Sequence, residues 1–231
     1  MLKEIVKDLP IAGVVARRIY RALRRKGKRR RPFPGTETYW EERYATGGSS
    51  GVCSHGKFAE FKAEILNSFV EENRIETIIE LGCGDGNQLA LANYPHYVGF
   101  DVSATAIALC RDRFAGDTTK SFHLMDESNG ERADLALSLD VIYILVEQDN
   151  FEAYMRRLFC AATGFVIIYS SNKDQDWVNT YGHLKHRKFT AWVEANIDGW
   201  SLDRHIPNRY PYKGDHRQGS FADFFIYKKA Q

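Results

Sequence analysis

Two periods of apolar positions run along the chain, and the change from one to the other divides it. Leu2, Ile5, Val6 and Leu9 fall at i, i+3, i+4 and i+7, and Ile11, Val15, Ile19 and Leu23 then recur every four residues with arginines between them. Proline is tolerated in a first helical turn, so Pro10 can open the second stretch. The spacing predicts a basic amphipathic helix. Pro32, Pro34 and Gly35 punctuate its end and place a boundary near residue 34, with a basic amphipathic extension over 1–34 and a second domain over 35–231. Residues 36–56, rich in Gly, Ser and Thr, read as a loop with aromatic anchors at Tyr39, Trp40 and Tyr44. Phe58, Phe61, Ile65, Leu66 and Phe69 predict a helix over 56–72.

From residue 77 short apolar runs alternate with helical stripes. The runs predict strands at 77–81, 97–101, 121–125, 135–139, 165–169, 200–205 and 222–227. Helices are predicted from about 87, and over 104–114, 148–160 and 185–196. Strands alternating with helices imply right-handed crossovers and a parallel sheet covered on both faces. The last two strands follow each other without a helix, so one of them is expected to be antiparallel. The fold class is α/β, a seven-stranded, mostly parallel sheet with helices on both faces.

Length fits this reading: 231 residues suffice for one α/β domain and are thin for two. No apolar stretch reaches the ~20 residues of a membrane span. The run over 9–16 is short and meets Arg17-Arg18 directly, which does not make a convincing secretory signal. Cys53, Cys83, Cys110 and Cys160 form no C-x-x-C pair and read as reduced thiols of a cytoplasmic protein.

The formal net charge of +2 is a cancellation. Residues 1–32 hold twelve basic and two acidic residues, +10, and the remaining 199 hold 20 basic and 28 acidic, −8. Three readings fit the basic arm: packing on its own domain or a partner protein, docking on an anionic membrane surface, and contact with nucleic acid. Tyr20 is the only aromatic before Phe33, which leaves little for base stacking.

The candidate chemistry begins at Glu80-Leu81-Gly82-Cys83-Gly84-Asp85-Gly86-Asn87, between the first strand and the next helix. Glycines permit a tight turn and let a ligand approach the backbone closely. A helix amino end would add free N–H groups. The dinucleotide fingerprint is G-x-G-x-x-G; here the third glycine comes one residue early, which disfavours a nicotinamide cofactor. Asp101 ends the second strand, 19 residues after Gly82, where a carboxylate can accept ribose hydroxyls.

The acid followed by G-x-G-x-G resembles the first motif of class I S-adenosylmethionine-dependent methyltransferases. The resemblance covers roughly residues 36–231 and implies a Rossmann-like sheet and S-adenosylmethionine as cofactor. It implies cofactor contacts from Glu80, Gly82, Gly84, Gly86, Gln88 and Asp101, with Met125 and Asp126 near the adenine. Within 39–51, Tyr39 would cover the cofactor and Arg43 would pair with its carboxylate. The segments Tyr39-Trp40-Glu41-Glu42-Arg43-Tyr44, Glu80 to Gln88 and His183-Leu184-Lys185-His186-Arg187-Lys188-Phe189 are similar to methyltransferases of glycan assembly. That implies transfer to a hydroxyl of a surface glycan or glycolipid-linked sugar, or of another small molecule. The arm would then meet the inner membrane surface or a glycan-assembly enzyme.

A sugar hydroxyl is a poor nucleophile, so a base that takes its proton would help by about 10²–10⁴-fold. His183 and His186 are candidates, with Asp140 as fallback base or as the group that orients the histidine. Tyr143, Trp177 and Tyr181 would line the acceptor, and Arg187 would hold an anionic group on it. No ligand spacing demands a metal. The D/N-P-P-Y/W motif of DNA amino-methylating enzymes and the Pro-Cys nucleophile of cytosine-C5 enzymes are absent. Rival readings are an RNA or small-molecule methyltransferase, a non-catalytic binding protein with the same fold, and a nicotinamide-dependent oxidoreductase.

Overall fold

The structure, a computed structural model, describes residues 33–174 and 184–230. These lie in the unit Phe33–Gln231. The expected basic helix over 1–32, and Trp177, Tyr181 and His183, fall outside the described residues.

Seven strands form one sheet: β1 Thr77–Leu81, β2 His96–Asp101, β3 Lys120–Leu124, β4 Ala133–Leu139, β5 Ala162–Ser170, β6 Trp200–Ile206 and β7 Asp223–Lys229. Their order is β3-β2-β1-β4-β5-β7-β6. β1 to β5 are parallel, and β7 runs antiparallel to both β5 and β6. All seven expected strands are present, with ends moved by up to three residues.

The two faces separate by the two-residue period of strands. Ile78, Leu135, Leu137, Ile167, Tyr169, Phe224 and Ile226 share one core with Phe61, Leu66, Ile107 and Cys110. Their neighbours Ile79, Ala136, Val166, Ile168, Phe225 and Tyr227 share the other with Phe151, Met155, Phe189 and Val193. The helices follow: α1 Thr36–Ala45, α2 Gly56–Asn73, α3 Ala104–Arg113, α4 Gln148–Cys160 and α5 Phe189–Asn196. α2 and α3 cover the first face, α4 and α5 the second. No helix among the described residues is long and apolar enough to cross a membrane.

Two sequence expectations fail. Thr36–Ala45 is a helix, not a loop. It has almost no apolar stripe, because it is held by polar contacts instead: Glu41 accepts hydrogen bonds from Ser103 Oγ at 2.6 Å and Thr105 Oγ1 at 2.5 Å, at the start of α3. The helix expected from Asn87 is a single 3₁₀ turn, Leu89–Leu91. Pro95 disfavours helical backbone at Tyr94, and the few residues left must bring the chain back to β2. Asn67 of α2 clamps this return, donating to the Leu91 carbonyl at 3.0 Å and accepting from Asn93 N at 2.9 Å.

Candidate active site

The chain turns from β1 to β2 and β3 on one side and reaches β4 on the other, so the sheet switches direction beside β1. Ligands of such sheets bind in the crevice beyond the carboxyl ends of the strands at that switch. A cavity of about 330 Å³ lies there. Met125 borders it after β3, Asp101 and Val102 after β2, Gly82 to Gly84 after β1, and Asp140 and Val141 after β4. Thr36, Trp40 and Tyr44 of α1, Lys62 of α2 and Tyr154 and Arg157 of α4 complete the wall.

The glycine loop is shaped by contact. Gly82 has φ +87 and Gly84 φ +59, conformations that favour glycine. A methyl on Gly82 would meet Val141 Cγ2 at 2.5 Å, and one on Gly84 would meet Ser50 Oγ at 2.4 Å. Gly86 lies away from the cavity and packs on Phe114 and Cys110, so its role is packing. The expected row of free N–H groups is absent. Gly82 N and Cys83 N donate to the Phe100 carbonyl, Gly84 N to Asp101, Asp85 N to Ser50 Oγ, Gly86 N to the Cys83 carbonyl and Asn87 N to Asp85. Every backbone donor from 82 to 87 is already used, which leaves nothing to cradle a phosphate.

Asp101 is buried, accepting Gly84 N at 2.9 Å on one oxygen and Ser103 N at 3.0 Å on the other. Burial raises its carboxyl above the ordinary range, against the lowering pull of these N–H groups. Each oxygen keeps a lone pair for a vicinal diol. Glu80 is buried beneath the loop and accepts the Tyr97 hydroxyl at 2.6 Å. Burial pushes its carboxyl up to about 7, with the Tyr97 hydrogen bond and Lys62 opposing the rise. Gln88 donates to the Ala59 carbonyl at 3.1 Å, while its Oε1, buried in the cavity wall, has no partner. An acceptor left alone in a pocket is ready for a ligand donor.

The segment around Ser50 is fixed to the glycine loop. Ser50 donates from Oγ to Asp85 at 2.8 Å and from its backbone N at 3.2 Å, and Tyr44 lies 3.0 Å from the same Oγ. On this side Trp40 and Tyr44 line the cavity. Tyr39 packs against Phe33 and Trp40 instead. Arg43 donates to the Ser49 carbonyl at 2.6 Å and lies over the Trp40 ring, so it shapes the 46–51 loop and does not reach the cavity wall.

At the other end Asp140 occupies a left-handed conformation, φ +63. It accepts Lys62 Nζ at 2.8 Å on one oxygen and the Tyr143 hydroxyl at 2.9 Å on the other. Tyr143 also stacks on His186. His186 is buried, 2.5 Å from Ser171 Oγ, and lies outside the cavity lining. Burial lowers its pKa, followed by the charge of Lys173. Asp126 is exposed in the turn after β3, and its neighbour Met125 borders the cavity. Arg187 donates to the Leu145 carbonyl at 2.7 Å, the Val146 carbonyl at 3.1 Å and Gln148 at 3.2 Å. With its donors committed it clamps the β4–α4 loop and is not available to hold an acceptor anion.

The cavity thus brings together Glu80, Gly82, Gly84, Gln88, Asp101, Met125 and Asp140 of the residues expected from sequence. It adds Lys62, whose signal was present. Position 62 lies four residues after Phe58 and four before Leu66, so a lysine there faces the core. No group of three or more His, Cys, Asp or Glu able to hold a metal occurs among the described residues.

No family model and no curated protein matches the chain. Solved structures do. N-methyltransferase NodS from Bradyrhizobium japonicum, in complex with S-adenosyl-L-homocysteine, superimposes with TM-score 0.68 at 15% identity, covering 85% of this chain and all of that one. Magnesium protoporphyrin IX methyltransferase ChlM from Synechocystis, with bound S-adenosylmethionine, gives 0.59 at 13% identity, over 87% and 100%. The methyltransferase domain of a bacterial Hen1, CtHen1-CN, gives 0.55 at 21% identity, over 72% and 97%. The fold is that of the class I S-adenosylmethionine-dependent methyltransferases.

Proposed function

We propose that the chain is an S-adenosylmethionine-dependent methyltransferase acting on an oxygen, a hydroxyl of a sugar in a glycan or glycolipid. The observation that carries the cofactor reading is the glycine loop. Its backbone approaches the cavity closely but has no free N–H group, which suits a nucleoside without phosphate and not a dinucleotide. Asp101 would take the ribose diol and Met125 the adenine. Gln88 Oε1 would accept from the amino-acid tail, which fits its lack of any other partner.

When bound, S-adenosylmethionine supplies a methyl carbon activated by positive sulfur, so that a C–O bond forms as the C–S bond breaks and its electron pair leaves with sulfur. The chain's part is orientation and proton removal. Asp140, which borders the cavity with lone pairs to spare, would take the hydroxyl proton; His186, stacked on Tyr143, is outside the cavity lining. The sugar assignment is supported by the sequence resemblance of 39–44, 80–88 and 183–189 to glycan-modifying enzymes. Residues 1–34 would dock the domain at an anionic membrane surface or on a glycan-assembly partner.

Incubation with isotopically labelled S-adenosylmethionine and a panel of sugar, amine and RNA acceptors, followed by mass analysis, tests the reaction. Label in an O-methyl group of a glycan or glycolipid sugar supports it. Label only in an amine or in RNA contradicts the acceptor assignment.

A further inference from the structure

The apolar stripe of α2 has one charged member. Lys62 is 1% exposed among Phe58, Phe61, Leu66 and Phe69. Its ammonium lies 2.8 Å from Asp140 Oδ2 and 5.2 Å from the Tyr169 ring centre. A buried ion pair is a poor device for stability, since apolar residues of like volume usually serve as well or better. A leucine at 62 would simply continue the stripe. What distinguishes the pair is its place. Both residues border the cavity, at the β4 end, with Asp101 and Met125 toward the β2 and β3 end. Asp140 is also held in backbone strain, which a non-glycine residue tolerates when its surroundings impose it.

We infer that Lys62 sets the class of acceptor: paired with Asp140 at the reacting end of the cavity, it admits a neutral hydroxyl and turns away a protonated amine. This rests on the methyl-transfer reading above. A carboxylate has about four lone-pair sites, and Lys62 and Tyr143 use one each, so Asp140 stays open to a hydroxyl proton. A hydroxyl brings no charge. As it loses its proton, the negative charge gathering on oxygen is favoured by a neighbouring ammonium. A protonated amine would place a second cation beside the buried Lys62, where like charges repel more strongly than in water.

The test needs no acceptor. S-adenosylhomocysteine and sinefungin, its analogue with an amine-bearing carbon in place of sulfur, are titrated calorimetrically into the full chain and three variants. Sinefungin puts an ammonium at the reacting end. Relative to S-adenosylhomocysteine, its affinity should rise by about tenfold or more in Lys62→Met and fall by about tenfold or more in Asp140→Asn. The double variant, Lys62→Met with Asp140→Asn, leaves no unpaired buried charge, and should bind sinefungin relatively more tightly than Asp140→Asn alone. Binding of S-adenosylhomocysteine reports the fold of each variant. A sinefungin-to-homocysteine ratio that stays within about twofold across all proteins that bind overturns the inference. Failure of the wild-type chain to bind S-adenosylhomocysteine overturns the cofactor reading itself, and the inference with it.

Discussion

Glu80 shows how a residue's setting turns into a measurable property. Its carboxyl, ordinarily near 4.5, is pushed up to about 7 by burial beneath the glycine loop. A carboxyl whose pKa rises on folding binds its proton more tightly in the folded chain. Its contribution to stability is therefore whole below about pH 4.5 and is lost as pH rises through about 7. A shift of this size corresponds to roughly 3 kcal/mol. Lys62, Asp101 and the Tyr97 hydroxyl are the groups that act on it. Glu80→Gln keeps an oxygen for the Tyr97 hydroxyl and removes the titration. Urea unfolding over about pH 5–8 should show wild-type stability falling, while the variant lacks that fall and is the more stable at the upper end.

At this scale the sequence is legible where chemistry is local. The loop and Asp101 are fixed by glycine spacing and by the end of a strand, and both border the cavity. It is illegible where two residues meet across the chain. Lys62 and Asp140 are 78 positions apart, and no local pattern joins them. Residue type without side-chain direction misleads as well: Arg43 and Arg187 belong to site segments by sequence, yet donate to nearby carbonyls and stay off the cavity wall.

Among the elements, α1 carries the largest unexpected share of the site. It supplies Thr36, Trp40 and Tyr44 to the cavity wall, and it docks on α3 through Glu41. The hydrogen bonds from Ser103 and Thr105 hold that carboxyl below its ordinary pKa. Glu41→Ala should loosen the dock while leaving both cores of the sheet untouched. The expected result is cofactor affinity lower by roughly three- to tenfold, read by calorimetry, with little change in thermal midpoint. Equal affinity would show that α1 is held by other contacts. A helix without an apolar stripe gives no periodic signal, which is why 36–45 reads as a loop. The strands are the opposite case. β1, β4, β5 and β7 are short, largely apolar runs buried between the two cores of the sheet, and these can be read directly.

Over the whole molecule the charge is unevenly divided, +10 in residues 1–32 against −8 in the rest. Vesicle sedimentation tests the docking role proposed for the arm. The full chain should bind anionic vesicles and release them as salt rises, and deletion of residues 1–34 should abolish binding. Equal binding to neutral and anionic vesicles, or none, contradicts it.

The sheet order places the cavity at the switch beside β1, with the glycine loop at its centre, Asp101 on one side and Asp140 on the other. The most direct measurement on this arrangement is calorimetric titration of the full chain with S-adenosylmethionine, with NAD as control and Asp101→Ala as variant. The expected result is one site for S-adenosylmethionine, no heat with NAD, and affinity at least about tenfold weaker in the variant. No binding of S-adenosylmethionine, or binding of NAD in its place, would contradict it.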